Sequence, residues 1–127
     1  MIVIDTHALI WWISDPTRLS GHAREAIDRA ALVCIPAITC FEVAFLAERR
    51  RIAIDSPAPD WLDEVIALPR VALMPLTIDV PAAAAKLPDP LRDPADRLIV
   101  ATALQMRVPL VTADHKIIAS GVVTTIW

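Results

Sequence analysis

Ile2-Val3-Ile4-Asp5 opens the chain with three β-branched apolar residues in a row and then a carboxylate. A continuous apolar run, rather than an alternating one, suits a strand covered on both faces, as in a parallel sheet. Residues 32–35, 71–74 and 109–112 form comparable runs, and residues 122–126, β-branched throughout, close the chain as a last strand. Helical periodicity fills the intervals. A short helix is expected over residues 8–13. The next is capped by Ser20 and carries Ala23, Ala26, Ile27, Ala30 and Ala31 at helical spacing. A third spans residues 39–50. A fourth is capped by Asp60, with Trp61, Leu62, Val65 and Ile66 as its apolar stripe. Residues 79–87 and 94–106 complete the set. Strands alternating with helices define an α/β architecture with a mainly parallel sheet.

In such a sheet the C-terminal ends of strands and the helix starts that follow them share one crevice. Four acids fall there: Asp5 after the first strand, Asp114 after residues 109–112, and Glu42 and Asp96 at the beginnings of helical stretches. Four converging carboxylates repel each other strongly unless cations are present, so the pattern points to a divalent-metal site.

The bulk numbers bound the alternatives. At 127 residues the chain is read as a single domain, residues 1–127, and 56% hydrophobic with 21% charged residues argues against disorder. No apolar run is long enough to span a bilayer, and Asp5 arrives too early for a signal peptide, so a cytoplasmic protein without membrane contact is expected. Cys34 and Cys40 are read as small buried hydrophobes rather than a disulfide or zinc pair. The net charge of −3 argues at first against a nucleic-acid partner. Setting aside the four candidate ligands leaves 11 acidic against 12 basic residues, so the acidity is concentrated in the site. Two glycines, Gly21 and Gly121, exclude a dinucleotide fingerprint or a phosphate loop.

Each acid has a bland reading beside the chemical one. Asp5 can cap the helix that follows it, yet a charge ending a buried strand is costly unless ligated. Thr39 and Glu42 fit a capping box, a role compatible with ligation. Asp93-Pro94 reads as N-cap and first helical residue, which leaves Asp96 in the first turn facing inward and Asp93 as a supporting residue. Thr6 and Thr112 are placed to orient carboxylates or water. Asp114 has a turn reading, and His7, His22, His115 and Lys116 read as packing or solvent-facing residues. Arg49 and Arg97 are candidates for contact with a phosphate backbone, against a default of helix-end solvation for Arg49 and a structural role for Arg97. Trp11, Trp12 and Trp61 read as core or interface residues.

Three segments, Ile2-Val3-Ile4-Asp5-Thr6-His7-Ala8-Leu9-Ile10-Trp11-Trp12, Asp93-Pro94-Ala95-Asp96-Arg97-Leu98-Ile99-Val100-Ala101-Thr102-Ala103 and Leu110-Val111-Thr112-Ala113-Asp114, resemble the PIN-domain ribonucleases. Within that family the chain is similar to VapC-type toxins of type II toxin–antitoxin modules, over nearly its whole length. The resemblance implies a three-layer α/β/α sandwich around a mainly parallel sheet. It implies an acidic quartet on Asp5, Glu42, Asp96 and Asp114 holding one or two Mg²⁺ or Mn²⁺ ions, and cleavage of RNA. Homodimerisation and neutralisation by a VapB-like antitoxin are further implications, with the apolar faces near Trp11, Trp12 and Phe45 as candidate contact surfaces. The chain departs from the family where relatives often carry His and Phe, having Leu91 and Ala95 instead. Two other readings stand beside this one: a catalytically inactive PIN-like binding or assembly module, and a small phosphatase. The second lacks the usual aspartyl-phosphate pattern, because Asp5 has no second Asp two residues later.

Overall fold

Five strands, β1 (Ile2–Ile4), β2 (Val33–Pro36), β3 (Val71–Met74), β4 (Leu110–Val111) and β5 (Thr125–Ile126), form one sheet in the order β3-β2-β1-β4-β5. Every neighbouring pair is parallel, with Val3 opposite both Cys34 and Leu110. The computed structural model describes residues 1–127. Seven helices flank the sheet: α1 (Thr6–Ser14), α2 (Gly21–Arg29), α3 (Ala37–Glu48), α4 (Ala58–Ile66), α5 (Asp79–Ala85), α6 (Pro94–Met106) and α7 (His115–Ser120). A 3-10 turn, Pro16–Arg18, links α1 to α2.

The strand pleat explains why the apolar runs are continuous. Ile2, Ile4, Val33 and Ile35 point to one face, where Leu9, Ile27, Trp61 and Val65 cover them. Val3, Cys34 and Leu110 point to the other, against Ile99, Val100, Ala103 and Ile117. Fully burying each large aliphatic side chain contributes roughly 1.5–3 kcal/mol, so both layers depend on helices docking. Alanine-rich α5 packs onto α6 through Val80, Ala84 and Ala101.

Several helix limits differ from the sequence reading. α1 begins at Thr6, since Asp5 caps it by accepting the Ala8 amide at 2.7 Å. α2 stops at Arg29 because Ala30 turns extended. α3 starts at Ala37 directly after Pro36, so the expected capping box does not form. Thr39 is already inside the helix and fully buried, and Glu42 lies one turn further on than expected. Asp60 is not the cap of α4: Pro57 holds that position and Asp60 falls in the first turn. α5 ends at Ala85, two residues early. The sequence reading did not anticipate α7, although Asp114 caps it and Gly121 terminates it with φ +63°. That pairing of an N-cap Asp with a left-handed Gly is the signal that was available.

The connections from β1 run first to β2 on one side, while β4 returns on the other. The order of strands therefore reverses at the β1–β4 boundary, and such a boundary opens a crevice at the carboxyl ends of the two strands. No helix is long and apolar enough to cross a membrane.

Candidate active site

The Asp5 amide donates to the Val111 carbonyl at 3.1 Å, which pins the end of β1 to the end of β4. Above this junction lies a cleft of about 430 Å³ lined by Asp5, Glu42, Asp93, Asp96 and Asp114, with Thr6, His7, Trp11 and His115 on its walls. The four acids expected to converge do so, and Asp93 joins them.

Each carboxylate is set by a local rule. Asp5, 7% exposed, accepts the Ala8 amide on one oxygen and the Thr112 hydroxyl on the other. Thr112 itself is fully buried and accepts the Asp114 amide at 3.0 Å, so one hydroxyl links two acids. Asp114 caps α7 by accepting the amides of Lys116 and Ile117 at 2.8 and 3.0 Å. Asp93 caps α6 by accepting the amides of Ala95 and Asp96 at 2.8 and 3.1 Å. Glu42 accepts the Thr6 hydroxyl at 2.5 Å. The Asp96 side chain accepts no hydrogen bond from the chain, although Asp96 heads the longest helix.

This environment pushes the acids upward. Burial raises Asp5 from 3.8 to about 6, against the opposing bonds from Thr112 and Ala8. Burial raises Asp96 from 3.8 to about 7, and the charges of Asp93, Asp114, Glu42 and Asp5 add to it. Glu42 is raised as well, first by burial and then by Asp93, with the Thr6 bond opposing. His7 on the cleft wall offsets a little of this for Asp5 and Glu42, but none of the acids is ion-paired: the one ion pair in the molecule joins Arg29 and Glu25 at 2.8 Å on α2.

A cluster of carboxylates with no ion-pair partner is chemically able to hold a cation. The donors are hard oxygens, matching Mg²⁺ or Mn²⁺ rather than softer metals. The side chains do not close into a ready-made cage of three ligands. The reason is visible in the bonding: both oxygens of Asp5, one of Asp114 and one of Glu42 are already engaged. Asp96, Asp114 and Glu42 keep free oxygens and each Asp5 oxygen keeps a second lone pair, which fits an ion that keeps several of its own waters.

Neither of the two arginines expected to meet substrate lines the acidic cleft. Arg97 donates to the backbone carbonyls of Leu91, Ala84, Leu87 and Pro88, tying the loop before α6 to α5. Four of its five donors are thereby occupied, and it has no place in the cleft. Arg49 lies over the Phe45 ring at 3.5 Å, outside the acidic cleft. Leu91 is a core residue, 1% exposed, so the departure from the family at this position changes packing rather than the cleft wall. His7, His115 and Trp11 do line the cleft, and the signal for the histidines was their place in sequence, His7 two residues after Asp5 and His115 directly after Asp114. Cys34 and Cys40 are free thiols; Cys34 is buried as expected, while Cys40 is only half-buried.

A parallel sheet of this order with an acidic cleft at its switch point is the arrangement of a PIN domain, whose family profile matches residues 2–120. The chain belongs to the PIN domain family. It is 39% identical over 117 residues to Ribonuclease VapC22 of Mycobacterium tuberculosis, covering 91% of this chain and 88% of that relative. Among solved structures, VapBC2 from Rickettsia felis bound to a promoter DNA fragment superposes with a TM-score of 0.71 at 16% identity, covering 98% of this chain and 97% of that one. The sarcin-ricin-loop-cleaving toxin VapC20 of Mycobacterium tuberculosis gives a TM-score of 0.69 at 17% identity, with 95% of each chain covered. At those identities the two structures establish the shared three-layer fold.

Proposed function

We propose that this protein is a VapC-type toxin, a divalent-metal-dependent endoribonuclease neutralised by a VapB-like antitoxin. The observation that carries the proposal is the convergence of Asp5, Glu42, Asp96 and Asp114 in one cleft, none of them held in an ion pair. Similarity to a named ribonuclease supports RNA as the substrate.

Asp5, Asp96 and Asp114 would hold one or two Mg²⁺ or Mn²⁺ ions, with Glu42 ligating directly or through water. Bound there, the ions supply an activated water and charge stabilisation at the leaving oxygen. The chain does the rest. Thr112 and Thr6 fix the orientation of Asp5 and Glu42 by hydrogen bonding one oxygen of each. Asp93 holds the first turn of α6, and so the position of Asp96. Asp96, raised to about 7, and Asp5, raised to about 6, take up protons as pH falls through and below neutrality, which limits the mutual repulsion of the carboxylates and makes a cation compete with protons.

Solved VapBC complexes with this fold support a protein partner. An apolar groove of Ile38, Phe41, Phe45, Leu46 and Leu98 borders the cleft, with Phe41 60% exposed. It is a surface that an antitoxin or a second copy of the chain would cover, and a homodimer is expected from the family.

Cleavage of pooled cellular RNA by antitoxin-free protein tests the proposal, with Mg²⁺ or Mn²⁺, with chelator, and with Asp5→Asn in parallel. Activity that disappears in both controls supports it. Activity that survives either one refutes the assigned site, and absence of cleavage and of metal binding by calorimetry favours an inactive PIN-like module.

A further inference from the structure

A second groove, also of about 430 Å³, opens beside the acidic cleft and shares His7 and Trp11 with it as common walls. Beyond those two residues it is lined by Arg18, Arg51, Asp15 and Ile52. Its charge has the opposite sign. Five carboxylates line the cleft, whereas here two guanidiniums face one carboxylate, and Asp15 already accepts the Thr17 hydroxyl at 2.6 Å.

Both arginines are free of the chain. Side-chain hydrogen bonds from arginine come from Arg24, Arg70 and Arg97, and the one ion pair uses Arg29. Arg18 is nevertheless ordered, because its guanidinium lies over the Trp11 ring at 4.7 Å from the centroid. Trp11 is fixed in turn by Trp127, at 5.6 Å between ring centroids, and by His7 at 5.8 Å. A stacked guanidinium keeps its N–H edges available, a geometry suited to phosphate oxygens.

A strand of RNA laid in the acidic cleft faces repulsion from five carboxylates, partly offset at the cut itself by metal. The flanking phosphates need cations of the protein; Arg97 is engaged by backbone carbonyls, whereas Arg18 and Arg51 line a groove that shares its walls with the cleft. We infer that the groove of Arg18, Arg51, Trp11 and His7 is a phosphate subsite for the RNA strand beside the scissile bond, a reading that rests on the ribonuclease proposal. Arg18 and Arg51 pair with backbone phosphates, and Trp11 is a positioning residue that holds Arg18. Basic side chains beside an aromatic ring are the combination that tracks single-stranded nucleic acid without reading its sequence. RNA is favoured over an acidic protein segment because this groove adjoins the catalytic cleft and carries two guanidiniums beside an aromatic ring, while the groove along α3 and α6, which also borders the cleft, is apolar and suits a protein.

The test measures binding of a short fluorescent single-stranded RNA to the Asp5→Asn protein over a series of KCl concentrations with Mg²⁺ present. Arg18→Ala, Arg51→Ala and the double substitution are compared on that background, and wild-type cleavage of cellular RNA is followed alongside. Each lost phosphate contact flattens the slope of log affinity against log salt by about 0.7, and the double variant by about twice that. Arg18→Lys, which keeps the charge, restores the slope, and Arg29→Ala leaves it unchanged. Wild-type cleavage together with unaltered slopes in the double variant overturns the subsite alone. Wild-type protein that neither binds nor cleaves RNA overturns the ribonuclease reading and the subsite with it.

Discussion

Replacing Asp5 with Asn removes one charge from the most buried carboxyl of the cleft while preserving its shape. Asn caps helices as well as Asp, so the bond from the Ala8 amide survives, and the Thr112 hydroxyl can rotate to accept from the new amide. The native carboxyl holds its proton more tightly when folded, at about 6, than at its ordinary 3.8. The folded state therefore binds more protons, and wild-type stability is full below pH 3.8 and declines as pH rises through about 6. That difference amounts to about 3 kcal/mol at neutral pH. With relaxation and water penetration, metal-free Asp5→Asn is expected to be more stable than wild type by about 1–3 kcal/mol at about pH 8. In a chain of this size the gain corresponds to a melting temperature higher by on the order of 5–10 °C. Thermal melts in chelator at several pH values provide the assay, and the gain should shrink toward about pH 4 as wild-type Asp5 protonates. Adding Mn²⁺ should raise the wild-type melting temperature and leave the variant nearly unmoved, reversing their order at high metal. Coincident melting curves for the two proteins from acid to neutral pH would show that Asp5 is not a destabilised buried carboxylate, and the electrostatic account of the cleft would fail.

Thr112→Val keeps the strand shape but deletes the donor to Asp5 and the acceptor of the Asp114 amide, so stability should fall by about 1–3 kcal/mol. RNA cleavage should drop by about 10–100-fold as both carboxylates lose their orientation, measured at saturating Mn²⁺; unchanged activity would remove Thr112 from the machinery. Arg97→Ala breaks four bonds to backbone carbonyls and should destabilise the fold by on the order of 3 kcal/mol in urea, without altering the salt dependence of RNA binding. A flattened salt slope in that variant would return Arg97 to the substrate. Mn²⁺ affinity by calorimetry should fall by about tenfold between about pH 8 and about pH 6, because Asp96 at about 7 and Asp5 at about 6 must release protons to bind it. An affinity indifferent to pH over that interval would contradict the carboxylate cluster.

Strand β1 and helix α6 were legible because their signals are local. Three β-branched residues in a row need cover on two faces, and Asp93-Pro94 fixes a helix start by its own hydrogen bonding and ring geometry. Helix α3 was misplaced by two residues because Thr39 and Glu42 satisfy a capping rule that the chain does not use. Pro36, closing β2, delivers the backbone into the helix before Thr39 is reached, and tertiary packing buries Thr39 completely. Arg97 illustrates the same limit from another side. Its neighbour Asp96 suggested a substrate contact, but the carbonyls of the loop before α6 approach only when α5 and α6 dock.

Local signals along the chain were enough to read the class of fold and to pick out acids that line the cleft. Apolar period and turn chemistry depend on neighbours a few residues away, and a carboxylate following a buried strand has few inexpensive explanations. Only the tertiary structure decided which residues share the cleft and in what state. Strand order placed β4 beside β1, and so Thr112 and Asp114 against Asp5 across more than a hundred residues of chain. Burial and mutual repulsion then raised Asp5 and Asp96, and the same packing set Arg18 on Trp11 beside them. Desolvation and Coulomb energies depend on distances in space, which spacing along the chain does not encode.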